Sequence, residues 1–277
     1  MDALSTTSSM LNLPPSFITG ACVGVVGYSI SWFGFKVALN TFSTDEFKDR
    51  IKKLDERARL NFLSLGPSTV HAVAQVIGTY NTVFKSQSHL LERTKYFIDS
   101  SDNGITNSNP TLYSGIFVGY LISDVIAIGI KNLGNVFVIH HISASAAWIL
   151  VVYHRTMQWY SSFLQFNELS TIFVNLRQLL LTAGYTSSST EVTISSLAMF
   201  IVFGAIRVLP LPWIIYNWIT TDAYGVYEKV GTVPAILCSC FMAIHVCLQS
   251  YWFSLMAKKF ISFLFGSSKD KDKKKKE

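Results

Sequence analysis

Four ionisable residues draw attention by where they occur. Asp124, His140, His141 and Glu168 lie in stretches that are otherwise apolar, and a charge at the centre of a bilayer costs roughly 2.5–3.5 kcal/mol on an insertion scale. Such side chains can hold or pass a proton, and an imidazole can also accept a transient acyl group. Carboxylates and imidazoles in series can form a proton relay. Adjacent histidines on a helix point about 100° apart, whereas a helical zinc site uses residues four apart, so no metal is expected.

Other polar residues recur around these four at helical spacing. Ser64, Ser68, His71, Gln75, Thr79 and Thr82 follow one another at intervals of three or four, which places them on one stripe of a helix. Tyr120, Asp124 and Lys131 are spaced in the same way, and Ser145 and Trp148 follow His141 by four and seven. Glu168, Thr171, Asn175 and Gln178 share a face, with Arg177 nearly opposite. Arg207 precedes Pro210 and Pro212, which should kink their helix and leave carbonyls for Arg207 or water. His245 and Gln249 lie four apart. Each stripe has a structural reading, because Ser, Thr, Asn and Gln knit membrane helices together for about 0.6 kcal/mol apiece. Stripes on six successive segments favour a shared polar interior.

The elements that carry these residues are long apolar windows. Seven are long enough to cross a bilayer, which takes roughly 17–25 residues per helix: Phe17 to Leu39, Leu63 to Phe84, Leu112 to Ile130, Val136 to Tyr153, Trp159 to Thr182, Thr193 to Ile219 and Thr232 to Leu255. No Lys or Arg precedes the first, so it does not read as a cleaved signal peptide. The fifth is the most polar. If all seven cross, fifteen Lys and Arg of the loops and tail fall on one side and five on the other. The positive-inside rule then places the N-terminus in the lumen and the C-terminus in the cytosol.

Composition agrees with a membrane domain: of 277 residues 50% are hydrophobic and 14% charged, against about 25% charged in soluble domains. The net charge of +6 is concentrated in a tail with eight lysines from Lys258 to Lys276. Such a tail is either a solvated end or an attraction for anionic lipid headgroups; nucleic acid is not an expected partner. Lys274 and Lys275, fourth and third from the end, also fit a dilysine retrieval signal of the endoplasmic reticulum. Cys22, Cys238, Cys240 and Cys247 all fall in apolar windows and imply no disulfide framework.

Three strings resemble a known family. Gly119-Tyr120-Leu121-Ile122-Ser123-Asp124, His140-His141-Ile142-Ser143-Ala144-Ser145, and the run from Asn167-Glu168-Leu169-Ser170 to Asn175-Leu176-Arg177 are similar to the TLC domain of TRAM, Lag1 and CLN8 proteins, most of all its transmembrane protein 56 subfamily. The likeness runs from about Asn61 to Leu255. It implies an all-α polytopic membrane protein of seven transmembrane helices, six of them bundled around a long central cavity, in the endoplasmic reticulum membrane. The division expected is residues 1–60 (lumenal N-terminus, first helix and basic loop), 61–257 (TLC domain) and 258–277 (cytosolic tail). In ceramide synthases of this family paired histidines lie where an acyl group passes from acyl-CoA to a sphingoid amine, and the matching pair here is His140 and His141. The acidic motif that follows in those enzymes is replaced by Glu168-Leu169-Ser170 and Asn175.

Three functions follow as expectations. The first is binding or sensing of a membrane lipid in an intramembrane cavity, in the service of lipid homeostasis, with His71, Gln75, Asp124, Ser145, Asn175, Arg177 and Arg207 lining it and no cofactor. The second is acyl transfer by His140, His141 and Glu168 with acyl-CoA as co-substrate. The third is proton-coupled transport, for which inverted repeats would be the sign; none is visible.

Overall fold

The computed structural model describes residues 13–85 and 109–265, with side chains to residue 262. The lysine-rich run from Lys269 to Lys276, with its dilysine signal, lies outside the described residues. All the regular structure among them is helical. Five helices are long and apolar enough to cross a membrane: Pro15–Phe42, Pro110–Ile128, Asn135–Tyr153, Thr190–Val230 and Thr232–Ser262.

The first three are α1 (Pro15–Phe42), α5 (Pro110–Ile128) and α7 (Asn135–Tyr153). Between α1 and α5 lie α2 (Asp45–Lys52), α3 (Glu56–Leu63) and α4 (Leu65–Thr79), and between α5 and α7 the single turn α6 (Ile130–Leu133). Local chemistry sets their ends. Thr44 and Asp55 accept from the amides of Phe47 and Ala58 to cap α2 and α3. Asn109 accepts from Thr111 and Leu112, with Pro110 in the first helical position. Gly129 and Gly134 bracket α6 at φ of 78° and 81°, backbone that only glycine adopts without strain.

Two expected spans are not continuous. The second window forms α4 and then a π turn, Tyr80–Phe84. The fifth divides into α8 (Gln158–Gln165) and α9 (Glu168–Ala183), because the amides of Phe166, Asn167, Leu169 and Ser170 reach back to carbonyls only three residues behind, Ser170 donating to Asn167. Such tightening marks joints within helices. The sixth runs on past its prolines: α10 (Thr190–Phe203), a π turn at Gly204–Val208, α11 (Leu211–Asn217), a π turn at Trp218–Asp222 and α12 (Ala223–Val230). Leu209 donates five residues back to Gly204 at 2.9 Å, so the widened turn just precedes Pro210. The last helix is α13 (Thr232–Phe265).

Many polar side chains are buried beside the apolar core, and many large apolar ones face outward. Gln75, Gln158, Gln165 and Gln249 rank among the largest fully buried residues, whereas Ile126, Leu209 and Ile219 are about three-quarters exposed. Thr79 donates to the Ser162 carbonyl at 2.9 Å, Gln75 to the Tyr113 carbonyl at 3.3 Å and Gln158 to the Thr111 hydroxyl at 3.1 Å. These bonds join α4, α5 and α8, as the polar stripe of the second window anticipates.

The closest helix pairing is α1 against α5. Gly20 and Gly24 of α1 face Gly115 and Gly119 of α5: a β-carbon at Gly24 would sit 3.1 Å from the Gly119 Cα. Both are glycines four apart, which lets backbones meet and compensates in packing for the lack of a hydrophobic drive between helices in lipid. Gly119→Leu should therefore lower stability by about 1–3 kcal/mol. Gly27, where a β-carbon meets nothing within 4 Å, should tolerate leucine; thermal unfolding in detergent compares the two.

Candidate functional site

The neighbouring histidines of α7 serve two different places, as their angular separation requires. His141 turns toward α5 and α1. Its Nδ1 lies 2.8 Å from the Phe137 carbonyl and its Nε2 lies 3.0 Å from Asp124 Oδ2. A carbonyl only accepts, so Nδ1 carries a hydrogen, and a single further proton is shared between Nε2 and the Asp124 carboxyl. The other carboxyl oxygen, Oδ1, accepts from the Tyr28 hydroxyl at 3.0 Å. All three side chains are buried. Tyr28 belongs to α1 and reaches Asp124 because the glycine contacts bring α1 onto α5. Around this triad, Tyr120 packs on Tyr28, and His71 stacks on Tyr120 at 3.9 Å. Both His71 ring nitrogens are buried without a hydrogen-bond partner.

His140 turns the other way, toward a narrow cleft bounded by α7, α8, α9, the Gly204–Val208 turn and α13. About 800 Å³ of space lies between these elements, the mouth included. Trp148, Val151, Leu164, Met242 and Leu248 supply apolar wall; the polar residues of the lining include His140, Glu168, Arg207, His245 and Gln249.

Arg207 is the most heavily bonded of these. Its Nε donates to the Asn167 carbonyl at 3.1 Å and the Ser170 hydroxyl at 2.8 Å, and Nη2 to the same carbonyl at 2.7 Å and to Thr171 at 3.2 Å. Nη1 donates to Gln249 Oε1 at 3.3 Å. The guanidinium also lies over the Phe203 ring, 5.0 Å from its centre. Two irregularities make this possible: the π turn carries Arg207, and the α8–α9 joint presents the Asn167 carbonyl to it. Glu168 follows at once, in the first turn of α9, where the helix N-terminus favours a carboxylate.

Glu168, His140 and His245 are differently placed. The side chains of Glu168 and His140 make no hydrogen bond among the described residues, and Nε2 of His245 is buried without a partner. Acceptor and imidazole groups thus face the cleft with their capacity unspent.

Of the residues expected to form the site, His140, Glu168 and Arg207 line the cleft. His141 and Asp124 form the closed triad instead. His71 and Gln75 are buried on the inner face of α4. Asn175 donates to Ser68 and Thr69, each at 3.0 Å, and borders a separate apolar groove between α1, α4 and α9. Arg177 donates to the Ser196 hydroxyl at 2.9 Å, joining α9 to α10. Ser145 is half-buried and does not line the cleft. No three His, Cys, Asp or Glu side chains gather as a metal site among the described residues.

Three participants lay outside the expected set. His245 and Gln249 were visible as a four-residue pair. Tyr28 carries no charge to mark it, but the paired Gly20–Gly24 and Gly115–Gly119 spacings are a signal that α1 docks where Tyr28 can reach α5.

The sequence model of the TLC domain matches residues 61–258. The chain belongs to the TLC domain family. TLC domain-containing protein 4 of Homo sapiens is 29% identical over 210 residues, 74% of this chain and 69% of that protein. TLC domain-containing protein 4-B of Danio rerio is 29% identical over 133 residues, 44% of this chain and half of that protein. TLC domain-containing protein 4-A of Xenopus laevis is 25% identical over 148 residues, 52% of this chain and 57% of that protein. No solved structure matches. The cleft lies wholly inside the TLC domain, and so do Asp124 and His141. Tyr28 lies outside it, so the TLC domain takes the third member of its buried triad from the preceding helix.

Proposed function

We propose that this TLC-domain protein binds or senses a membrane lipid in the cleft beside His140 and so acts in membrane lipid homeostasis. One observation carries the reading: among the described residues the side chains of Glu168 and His140 and the Nε2 of His245 make no hydrogen bond, and they sit at the side of an apolar-walled space within a membrane-spanning bundle. Polar groups in hydrocarbon are expensive unless something satisfies them, and a headgroup with attached chains matches both the polar and the apolar parts of the lining.

The proposal includes a seven-span course. Residues 65–84 and 158–183, though interrupted, supply two crossings beside the five long helices. It places residues 1–60 ahead of a six-helix TLC bundle, the C-terminal lysines in the cytosol and the protein in the endoplasmic reticulum membrane. The basic α2–α3 segment supports that orientation by the positive-inside rule.

Blocking the cleft tests the reading. Ala147 lines it, and Ala147→Trp should fill it, whereas Ile139→Trp places the same ring on an exposed face of α7. Mass spectrometry of the purified proteins should find a lipid species retained by wild type and by Ile139→Trp but reduced at least about tenfold in Ala147→Trp, a difference worth 1.4 kcal/mol. Equal recovery from all three would end the proposal.

A further inference from the structure

We infer that the cleft selects an uncharged lipid whose headgroup bears at least two hydroxyls on neighbouring atoms, a glycerol-like diol being the simplest; this rests on the lipid-binding reading above. The inference comes from which polar groups are already satisfied and which are not.

Arg207 looks at first like an anion site, but the chain itself consumes it. Four of its five N–H bonds already point at Asn167, Ser170, Thr171 and Gln249, so the two parallel donors that grip a carboxylate or phosphate are not available. The groups that remain include an acceptor-only carboxylate, Glu168, two imidazoles, His140 and His245, and the indole N–H of Trp148, which can only donate. A neutral imidazole offers one donor and one acceptor.

Charge gives the same result. Among the described residues, Arg207 and Glu168 carry the only formal charges lining the cleft, and together they sum to zero. A carboxylate or phosphate headgroup would be a third charge facing Glu168, and an ammonium would be a third charge facing Arg207. In a medium of low dielectric an uncompensated third charge is costly in either sign. A hydroxyl adds no charge, donates to Glu168, and both donates to and accepts from an imidazole. Several open protein groups need more than one hydroxyl.

Three probes with the same eighteen-carbon chain separate the possibilities: 1-monooleoylglycerol, oleate and oleylamine. Binding of each to the purified full-length protein is measured in detergent by retention of radiolabelled probe on gel filtration, with unlabelled probe as competitor. Monooleoylglycerol should bind saturably and at least about tenfold more tightly than either charged probe. Glu168→Gln removes the charge that balances Arg207, so relative to monooleoylglycerol it should strengthen oleate and weaken oleylamine. Oleate or oleylamine binding wild type as tightly as monooleoylglycerol overturns the selectivity while leaving a lipid cleft in place. Absence of saturable binding by all three also overturns it, and whether the cleft holds any lipid is then decided separately by the Ala147→Trp comparison.

Discussion

Asp124→Leu should lower the stability of the folded protein by about 3–5 kcal/mol, the cost of removing one partner from a buried charged pair. Asp124 accepts from Tyr28 on one oxygen and shares a proton with His141 on the other. Its loss leaves a buried imidazole nitrogen and a buried phenol with nothing to bond. His141→Leu added to Asp124→Leu should restore most of the deficit, because replacing both partners by apolar groups of similar size is often near neutral. Tyr28→Phe alone should cost less, about 1–3 kcal/mol, because it leaves one buried carboxyl oxygen without its donor. Thermal unfolding of the detergent-purified variants reads all of these. A double variant no more stable than Asp124→Leu would show that the two side chains do not act as a pair.

The second large effect is expected at Arg207. Arg207→Leu removes the cation that faces Glu168 and strips donors from Asn167, Ser170, Thr171 and Gln249, and it should also cost about 3–5 kcal/mol. Arg207→Lys should not rescue it, since one ammonium cannot reproduce a planar fork that reaches α9 and α13 together. The damage should be local. Hydrogen exchange should accelerate most at residues 166–171, where the carbonyl of Asn167 loses the two guanidinium contacts at the α8–α9 joint. Exchange unchanged there, with stability lost elsewhere, would contradict the role assigned to Arg207.

Hydropathy and helical period made much of this architecture legible. The windows for α1, α5, α7 and α13 match the helices to within a few residues at most ends, although α13 extends about ten residues further. In the expected stripe Ser64, Ser68, His71, Gln75 and Thr79 are buried and Thr82 is half-buried, because turning these toward lipid would leave a polar group unsatisfied. The same rule brought Asp124, His141 and Arg207 inside. It did not say how the inward residues would be shared out. One expected site became two, a triad on one side of α7 and a cleft on the other, and only the 100° step between His140 and His141 hinted at the division. Arg177 and Arg207 are alike in composition and context, yet one joins α9 to α10 at Ser196 while the other organises the cleft. Tyr28 and Asp124 are 96 residues apart, a separation that local periodicity does not register. The α8–α9 joint was hidden because a window average does not show hydrogen bonds changing from four residues back to three.

The account turns on the cleft holding lipid at a defined site, as distinct from the lipid that bathes the outside of any bundle. A photo-crosslinking residue placed at Phe241, which lines the cleft, or at Ile126, which is 76% exposed on α5, distinguishes the two in cell membranes fed an alkyne-tagged lipid precursor. The account predicts that the crosslink at Phe241 forms with a restricted set of lipid species, is competed away by excess unlabelled lipid and is lost in Ala147→Trp, while the crosslink at Ile126 mirrors bulk membrane composition in every case. The same bulk composition at both positions, indifferent to Ala147→Trp, would contradict it.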